Sequence, residues 1–156
     1  MKYNSDIFLQ QTAGQLDETD GIAALANVSA LLKLYMPEAN WTGFYLVKDD
    51  LTVGPLQGKP ACTHIPFSKG VCGRCWREKK VQRVNDVMQI KDHIACDSES
   101  RSELCVPVMV KERVVILIDL DAPVKHYFTE EHEKCMVRLS LLIAEAYTAH
   151  AWVFQR

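Results

Sequence analysis

The sequence predicts an α+β fold in which an antiparallel sheet is flanked by helices near the two ends of the chain. Apolar residues recur at steps of three and four along residues 20–36 and again after Thr129, a period typical of amphipathic helices. Between these segments, short apolar stretches alternate with polar turns, as they do in hairpins. The order of helix, strands and helix therefore favours a sheet covered by the terminal helices.

Length and composition are those of one globular domain covering residues 1–156. The chain is 48% hydrophobic and shows no internal repeat, low-complexity tract or linker. Its net charge of −2 argues against a nucleic-acid partner, because phosphate binding usually needs a basic face. No apolar run approaches a membrane span, and the N-terminus lacks the apolar core of a signal peptide. We therefore expect a cytoplasmic protein whose six cysteines do not form a disulfide framework.

Two amphipathic helices are predicted. The first covers residues 20–36, where Asp20 is placed to cap the first turn and Pro37 follows the last. Its apolar face consists of Ile22, Leu25, Val28, Leu32, Tyr35 and Met36. The second lies in the C-terminal part from Thr129 and carries, at helical spacing, Cys135, Leu139, Leu142, Ile143 and Ala146.

The strands are predicted from apolar segments bounded by turn residues. "WTGFYLV" and "LTVGPLQG" form a hairpin through "KDD", and "ACTHIPF" is a third short strand that ends at Pro66. A short helix, "GVCGRCWREKK", is followed by a brief strand or extended piece, "VQRVNDV". Residues 88–102 are polar and predict a long loop, after which "ELCVPVMV" and "RVVILIDLD" pair through "KER".

The motif "GVCGRCW" at residues 70–76 allows three interpretations. Cys72 and Cys75 have the spacing of a redox dithiol, which lies beside a βαβ unit in thioredoxin-like folds. They also have the spacing of half a zinc site, with His93 and Cys96 as the candidate second half. The third interpretation is a helix that carries two thiols. No βαβ unit surrounds the motif, and a chain with this much core needs no structural zinc.

The remaining cysteines differ in their surroundings. Cys96 lies in the polar segment "DHIACDSES", near His93 and Asp97, so we expect it to be exposed or reachable. Cys105 in "ELCVPVMV" and Cys135 on the apolar face of the last helix are expected to be core residues.

Two pairs of residues alternate along strands, so the members of each pair share a face. Asp119 and Asp121 end an apolar strand and form either a solvated strand end or a paired acidic site for a cation or a shared proton. Trp41 and Tyr45 flank Gly43. These aromatic side chains either belong to the core or wall a small apolar pocket in which the glycine leaves room.

Together these segments resemble the free methionine-(R)-sulfoxide reductase family, whose members are single GAF domains. The resemblance rests on "NWTGFYLV", "GPLQGKPACTHIPFSKGVCG", "DHIACDSESRSE" and "IDLD", and extends from about Asn40 to Phe128 with compatible helices on both sides. Its most specific feature is the trio of Cys62, Cys72 and Cys96, which a general GAF domain is not expected to carry. The implied fold is a GAF-type antiparallel sheet flanked by N- and C-terminal helices.

The implied reaction is thiol-dependent reduction of free L-methionine-(R)-sulfoxide to methionine, without a metal or an organic cofactor. By this resemblance, Cys96 attacks the sulfoxide sulfur and becomes a sulfenic acid. Cys62 then condenses with the sulfenic acid to form a disulfide, with Cys72 as an alternative resolving thiol. A thioredoxin-type reductant restores the thiols by exchange.

The resemblance also implies how the substrate binds. The family's acidic positions correspond to Glu103, Asp119 and Asp121, which hold the substrate ammonium group and supply a proton. Its aromatic pocket for the methyl-thio end corresponds to Trp41 and Tyr45.

The chain departs from the family pattern at several positions. Cys75 stands where the family usually has alanine, so Cys72 belongs to the trio and Cys75 is an extra thiol. Ile116 stands where glycine is common, and the segment ending at Pro123 reads "DAP" where members usually have Asp-Ser. These departures affect the expected shape of the pocket but remove no catalytic position.

The alternative function is a non-catalytic GAF module that senses a redox signal or a small molecule. Such sensors pass a signal to an attached output domain, for which this chain is expected to have no room. The family often forms homodimers, and the C-terminal "AWVF" offers apolar surface for one. The same residues are equally able to fold back onto the sheet.

Overall fold

The computed structural model describes residues 3–92, 96 and 98–155 of the chain. In chain order its elements are α1 (Ser5–Leu16), α2 (Gly21–Tyr35), β1 (Trp41–Val47), β2 (Leu51–Gly58), β3 (His64–Ile65), α3 (Gly70–Glu78), β4 (Gln82–Val84), a 3-10 turn (Val87–Gln89), β5 (Ser102–Val110), β6 (Arg113–Ala122) and α4 (Glu130–Ala149).

The strands of the described residues form one sheet in the order β3-β2-β1-β6-β5-β4. Each neighbouring pair is antiparallel. This confirms the predicted α+β class. A thioredoxin-like dithiol lies beside a βαβ unit, and the described strands form none, so this interpretation of Cys72 and Cys75 loses its structural context. Strands β1 and β6 lie at the centre of the sheet, where both faces are covered by other parts of the chain.

Side-chain alternation along the central strands divides the core into two parts. On one face the even-numbered residues of β6 share an apolar core with α1, α2 and α4; these are Ile116, Ile118, Leu120 and Ala122. On the other face Leu117 and Cys105 pack with Val71 and Cys75 of α3. The face under α3 also carries the polar residues of the site described below. Helix α3 and the loops beside it therefore control the exposure of these residues to solvent.

The helix predicted at residues 20–36 is confirmed to within one residue at each end. The Asp20 carboxylate accepts a hydrogen bond from the Ala23 amide at 3.1 Å, and Pro37 follows the helix. The C-terminal helix begins with a reciprocal cap, in which the Thr129 hydroxyl accepts from the His132 amide and the His132 ring accepts from the Thr129 amide.

Helix α1 is absent from the predicted elements. It nevertheless buries Phe8, Leu9, Thr12 and Leu16, and the side chain of Asn4 caps its first turn. The prediction of a strand over "ACTHIPF" is largely wrong, because only His64–Ile65 pair with β2. Of the two interpretations left open for Trp41 and Tyr45, the one with a pocket assigned Gly43 the role of leaving room, and that role is not borne out. A Cβ at Gly43 would meet Leu56 and the backbone of β2 at 2.7–2.9 Å, so the glycine admits the neighbouring strand instead.

The C-terminal segment after α4 folds back onto the N-terminal end of α2. Trp152 is 3% exposed, and its indole Nε1 donates to the Glu18 carbonyl at 2.9 Å. A Cβ at Gly21 would lie 2.8 Å from the Trp152 ring, so glycine permits this contact. Val153, in contrast, is 83% exposed.

Among the described residues, none of the helices combines the length and the apolar character needed to cross a bilayer.

Candidate active site

On the sheet face under α3, six residues form two rows across the strands β1, β6 and β5. In the first row Trp41 lies opposite Asp121, and Asp121 lies opposite Glu103 on its other side. In the second row Asp119 lies between Gly43 and Cys105. Because facing residues in antiparallel strands are about 5 Å apart, the register alone brings these groups together.

The aromatic residues form one wall of the site. The rings of Trp41 and Tyr45 have centroids 5.8 Å apart and planes inclined at 25°. The Trp41 indole donates to the Lys59 carbonyl at 3.2 Å, and the Tyr45 hydroxyl donates to the Cys62 carbonyl at 3.0 Å. These two bonds tie the segment after β2 to the sheet and thereby position Cys62.

The carboxylates form the floor. Glu103 is 6% exposed and Asp119 is 4% exposed, and the carboxylate oxygens of these two residues and Asp121 lie within 4.8 Å of one another. Burial, with the neighbouring charges of Asp119 and Asp121, raises the pKa of Glu103 well above its usual range. Burial also raises the pKa of Asp119, while a hydrogen bond with Glu103 lowers it. Glu103 is therefore the member of the cluster that retains a proton most readily.

Helix α3 contributes Cys72 to the same floor. The Cys72 thiol donates to Glu103 Oε1 at 3.8 Å and accepts from the Cys105 thiol at 3.9 Å. The hydrogen bond from Cys105 lowers the pKa of Cys72, but burial and the Asp119 carboxylate outweigh it and raise this pKa to about 12. At neutral pH, Cys72 is consequently a protonated thiol.

A disulfide between Cys62 and Cys96 lies at the edge of the site, with the two Cα atoms 5.4 Å apart. Both residues are half-buried, whereas Cys72, Cys75, Cys105 and Cys135 are free thiols in the interior. The predictions for His93 and Asp97 fall outside the described residues, and with them the zinc site that combines His93 with Cys96. The expectation that Cys96 is reachable agrees with its partial exposure.

These groups surround a cavity of about 40 Å³. Seven of the eight predicted site residues line it, namely Trp41, Tyr45, Cys72, Cys96, Glu103, Asp119 and Asp121. The eighth, Cys62, is bonded to one of them. The cavity thus joins an acidic floor, an aromatic wall and a disulfide-bonded cysteine pair, an arrangement suited to an ammonium-bearing molecule that undergoes thiol chemistry.

Two residues at or beside the cavity are not predicted as site residues from the sequence. Ser100 lines the cavity, is 5% exposed, and its hydroxyl accepts from the Asn40 amide group at 3.1 Å. Cys105 is correctly predicted as a core residue, but its contact with Cys72 is not foreseen. Cys105 lies on β5 two residues after Glu103, and residues at this spacing share a face of the sheet. This spacing is the sequence feature that predicts Cys105 near the acidic cluster.

Comparison with known proteins agrees with this arrangement. Residues 19–147 match the GAF domain family. Protein YtsP of Bacillus subtilis (strain 168) is 46% identical over 133 residues, which are 83% of this chain and 82% of that protein. The free methionine-R-sulfoxide reductase of Escherichia coli (strain K12) is 42% identical over 139 residues, covering 88% of this chain and 84% of that protein.

A solved structure is similar over almost the whole chain. The X-ray structure of free methionine-R-sulfoxide reductase from Neisseria meningitidis, in complex with its substrate, superposes with a TM-score of 0.91 at 38% sequence identity. The match covers 94% of this chain and 90% of that one. These findings confirm the resemblance carried by the three cysteines. The chain belongs to the free methionine-R-sulfoxide reductase family of GAF-domain enzymes.

Proposed function

We propose that this protein reduces free L-methionine-(R)-sulfoxide to methionine by thiol chemistry. The observation that carries the proposal is the Cys62–Cys96 disulfide beside a cavity with three carboxylates on its floor. The names of the relatives support the reaction, and the Neisseria meningitidis enzyme is described in complex with its substrate. Residues 1–156 act as one catalytic domain in this proposal.

In the proposed complex, the substrate ammonium group lies on Glu103, Asp119 and Asp121. Charge-assisted hydrogen bonds to a cation suit this buried negative cluster, which otherwise repels itself. The methyl-thio end lies against Trp41 and Tyr45. A methionine residue within a peptide has a neutral amide in place of the ammonium group, so it would leave buried carboxylates without a counter-charge.

The first step is attack of the Cys96 thiolate on the sulfoxide sulfur. The oxygen is transferred to Cys96, methionine leaves, and Cys96 becomes a sulfenic acid, so the substrate gains the two electrons that the cysteine loses. The departing oxygen needs a proton, and Glu103 is the proposed donor because burial and the neighbouring carboxylates raise its pKa.

The second step is attack of Cys62 on the sulfenic acid, which forms the Cys62–Cys96 disulfide and releases water. The alternative resolving thiol, Cys72, is less suited to this step. It is 4% exposed and its pKa is about 12, so very little of it is thiolate at neutral pH. A dithiol reductant of the thioredoxin type then exchanges with the disulfide and returns both cysteines to thiols.

We propose three further properties of the enzyme. The reductant is a thioredoxin-type protein, the compartment is the reducing cytoplasm, and the enzyme acts as a homodimer. The exposed Leu34, Leu141 and Val153 supply apolar surface for such an association, with 61–83% of each side chain accessible. Sedimentation of the purified protein tests the dimer, and a single monomeric species would contradict it.

The function is tested by following reductant consumption with thioredoxin and its reductase. We expect turnover of free L-methionine-(R)-sulfoxide, and at least about tenfold lower kcat/KM for the (S) epimer and for N-acetyl-methionine-(R)-sulfoxide amide, because the latter lacks the ammonium group. Equal rates on the blocked compound would contradict the binding mode. Oxidation to the disulfide without stoichiometric release of methionine would favour the sensor function instead.

A further inference from the structure

Cys105, which the proposed reaction does not use, belongs to a cluster of potential metal-binding groups. Cys72 Sγ, Cys105 Sγ and a carboxylate oxygen of Asp119 all lie within 4.8 Å of one another. All three residues are buried, with at most 4% of each exposed. They come from α3, β5 and β6, so the packing of the helix on the sheet creates the cluster.

One donor of the cluster is unsatisfied. Asp119 Oδ1 is buried and has no hydrogen-bond partner among the described residues, and the Asp119 side chain lines the cavity. A buried carboxylate oxygen without a partner is costly in a folded protein, and such atoms frequently mark a place where a ligand binds. Cys105 likewise has no role in the proposed catalytic steps.

We infer that Cys72, Cys105 and Asp119 form a binding site for a thiophilic divalent cation such as zinc or cadmium. The distance between the two sulfur atoms fits tetrahedral coordination. Two thiolates bound to one zinc ion at about 2.3 Å lie about 3.8 Å apart, and the Cys72 and Cys105 sulfur atoms are 3.9 Å apart here. The cavity beside Asp119 leaves the fourth position to solvent.

Metal binding at this site involves no oxidation or reduction. The cation displaces the protons of the two thiols, and these protons pass to solvent as the metal–sulfur bonds form. The cavity that Cys72 and Asp119 line provides the path of entry. Two sulfur donors with a carboxylate favour zinc and cadmium over magnesium or calcium, which prefer oxygen donors alone.

The bound cation would inhibit the enzyme. It takes Asp119, one of the groups proposed to hold the substrate ammonium, so it competes with the substrate. Inhibition therefore rests on the proposed function, whereas cation binding does not. Cation binding is therefore measured directly, without an activity assay.

The test uses the protein with the Cys62–Cys96 disulfide intact, so that Cys62 and Cys96 are not available as ligands. Cadmium is titrated alone, in the absence of thiol reductant, and sulfur-to-cadmium charge-transfer absorption and proton release are recorded. We expect one equivalent to bind and about two protons to be released. Cys105→Val, which retains an apolar side chain at a core position, is expected to weaken binding at least about tenfold.

Cys135→Ala is the matched control, because Cys135 is a buried thiol on α4 in the other core cluster. This variant is expected to bind cadmium as the wild type does. Absence of stoichiometric binding, or a Cys105→Val variant with unchanged affinity, would overturn the inference and leave the cluster as packed thiols. Cys105→Ala serves as a second variant if the valine replacement lowers the melting temperature. All these readouts remain valid if the protein proves to have no reductase activity.

Discussion

Burial separates the cysteines of this protein into two groups with different reactivity. Cys62 and Cys96 are half-buried at the edge of the cavity, where a protein reductant is able to approach them. Among the interior thiols, burial raises the pKa of Cys105 well above its usual range and that of Cys135 to about 11, so these two are protonated at neutral pH. Since the thiolate is the nucleophile, redox chemistry is expected to be confined to the first group.

Substitution of individual cysteines tests this division. Cys96→Ser is expected to lower kcat by about three orders of magnitude or more, because a serine hydroxyl is too weakly acidic to attack at neutral pH. Cys62→Ser should release one equivalent of methionine and then stall as the sulfenic acid, with multiple turnover lost. Both results are read from methionine release in the presence and absence of thioredoxin.

Cys75→Ala is the matched control for these variants, since Cys75 is buried on α3 and is a free thiol. Its activity should remain within about twofold of the wild type, because it takes no part in the proposed steps. A Cys72–Cys75 disulfide as the dominant oxidised species, together with loss of activity in Cys75→Ala, would contradict the assignment of Cys62 and Cys96.

The proton held by Glu103 predicts a pH dependence of stability. Its folded-state pKa is raised by burial and by Asp119 and Asp121, so the native state binds more protons than the unfolded chain once the pH exceeds the unfolded value of about 4.3. Stability contributed by this group is therefore full at low pH and is lost as the pH rises through the raised pKa. Asp119 acts in the same direction.

Glu103→Gln removes the group that titrates while keeping a hydrogen-bond donor for Asp119. We expect its melting temperature to fall less steeply between pH 5 and pH 8 than that of the wild type, with a gain of about 2–4 °C for each kcal/mol of relieved destabilisation. Glu145→Gln, an exposed position on α4, is the control and should follow the wild type. Parallel curves for all three proteins would disprove the raised pKa of Glu103.

At the scale of elements, the contact between β1 and β2 depends on Gly43. The pairing register shifts between Gly43 and Tyr45, and a Cβ at Gly43 would lie 2.7 Å from Leu56 Cβ and 2.8 Å from the Pro55 carbonyl oxygen. Gly43 lies between Trp41 and Tyr45 on the same strand, so this close approach occurs beside the aromatic wall of the site.

Gly43→Ala is therefore expected to destabilise the fold by about 1–3 kcal/mol, because the strands must separate to admit the methyl group. Gly14→Ala is a matched control on α1, where a Cβ meets nothing within 4 Å. That change should stabilise the protein by roughly 0.5–1 kcal/mol, since alanine is the better helix former. Urea unfolding of both variants gives the two free energies, and a neutral Gly43→Ala would show that the strands absorb the extra atom.

Elements with a strong local signal are predictable from the sequence, and weaker ones are not. Helix α2 has a cap at Asp20, an apolar stripe and a terminating Pro37, so its ends follow from its own residues. Helix α1 is less apolar overall than α2, and it packs on α2 and α4. Strand β3 contributes two residues through pairing with β2, a long-range contact that the segment "ACTHIPF" cannot specify alone.

At the scale of the whole molecule, the pairing register of the strands brings the residues of the active site together. Alternation predicts that Asp119 and Asp121 share a face, and both line the cavity. That Asp119 faces Cys105 and that Asp121 faces Trp41 depends on which strands are neighbours. The resemblance to a family anticipates the grouping of these residues, whereas the donor cluster around Cys105 becomes visible only once α3 is packed on the sheet.

The disulfide links the oxidation state of the protein to its stability. It closes a loop between positions 34 residues apart, and constraining such a loop in the unfolded chain is worth up to about 4 kcal/mol. In this oxidised form Cys96, which lines the cavity, is bonded to Cys62. Reduction frees the Cys96 side chain, so the reduced form is expected to bind the substrate more tightly than the oxidised form.

Thermal unfolding with and without dithiothreitol tests both consequences of this link. The oxidised wild type is expected to melt well above the reduced protein, by about 2–4 °C for each kcal/mol that the disulfide contributes. Cys62→Ser should melt at the same temperature in both conditions, because the remaining thiols are free. Free methionine-(R)-sulfoxide should raise the melting temperature of reduced Cys96→Ser, which binds without turnover, and leave the oxidised wild type unchanged. Equal stabilisation of both forms by the substrate would show that the disulfide does not weaken substrate binding.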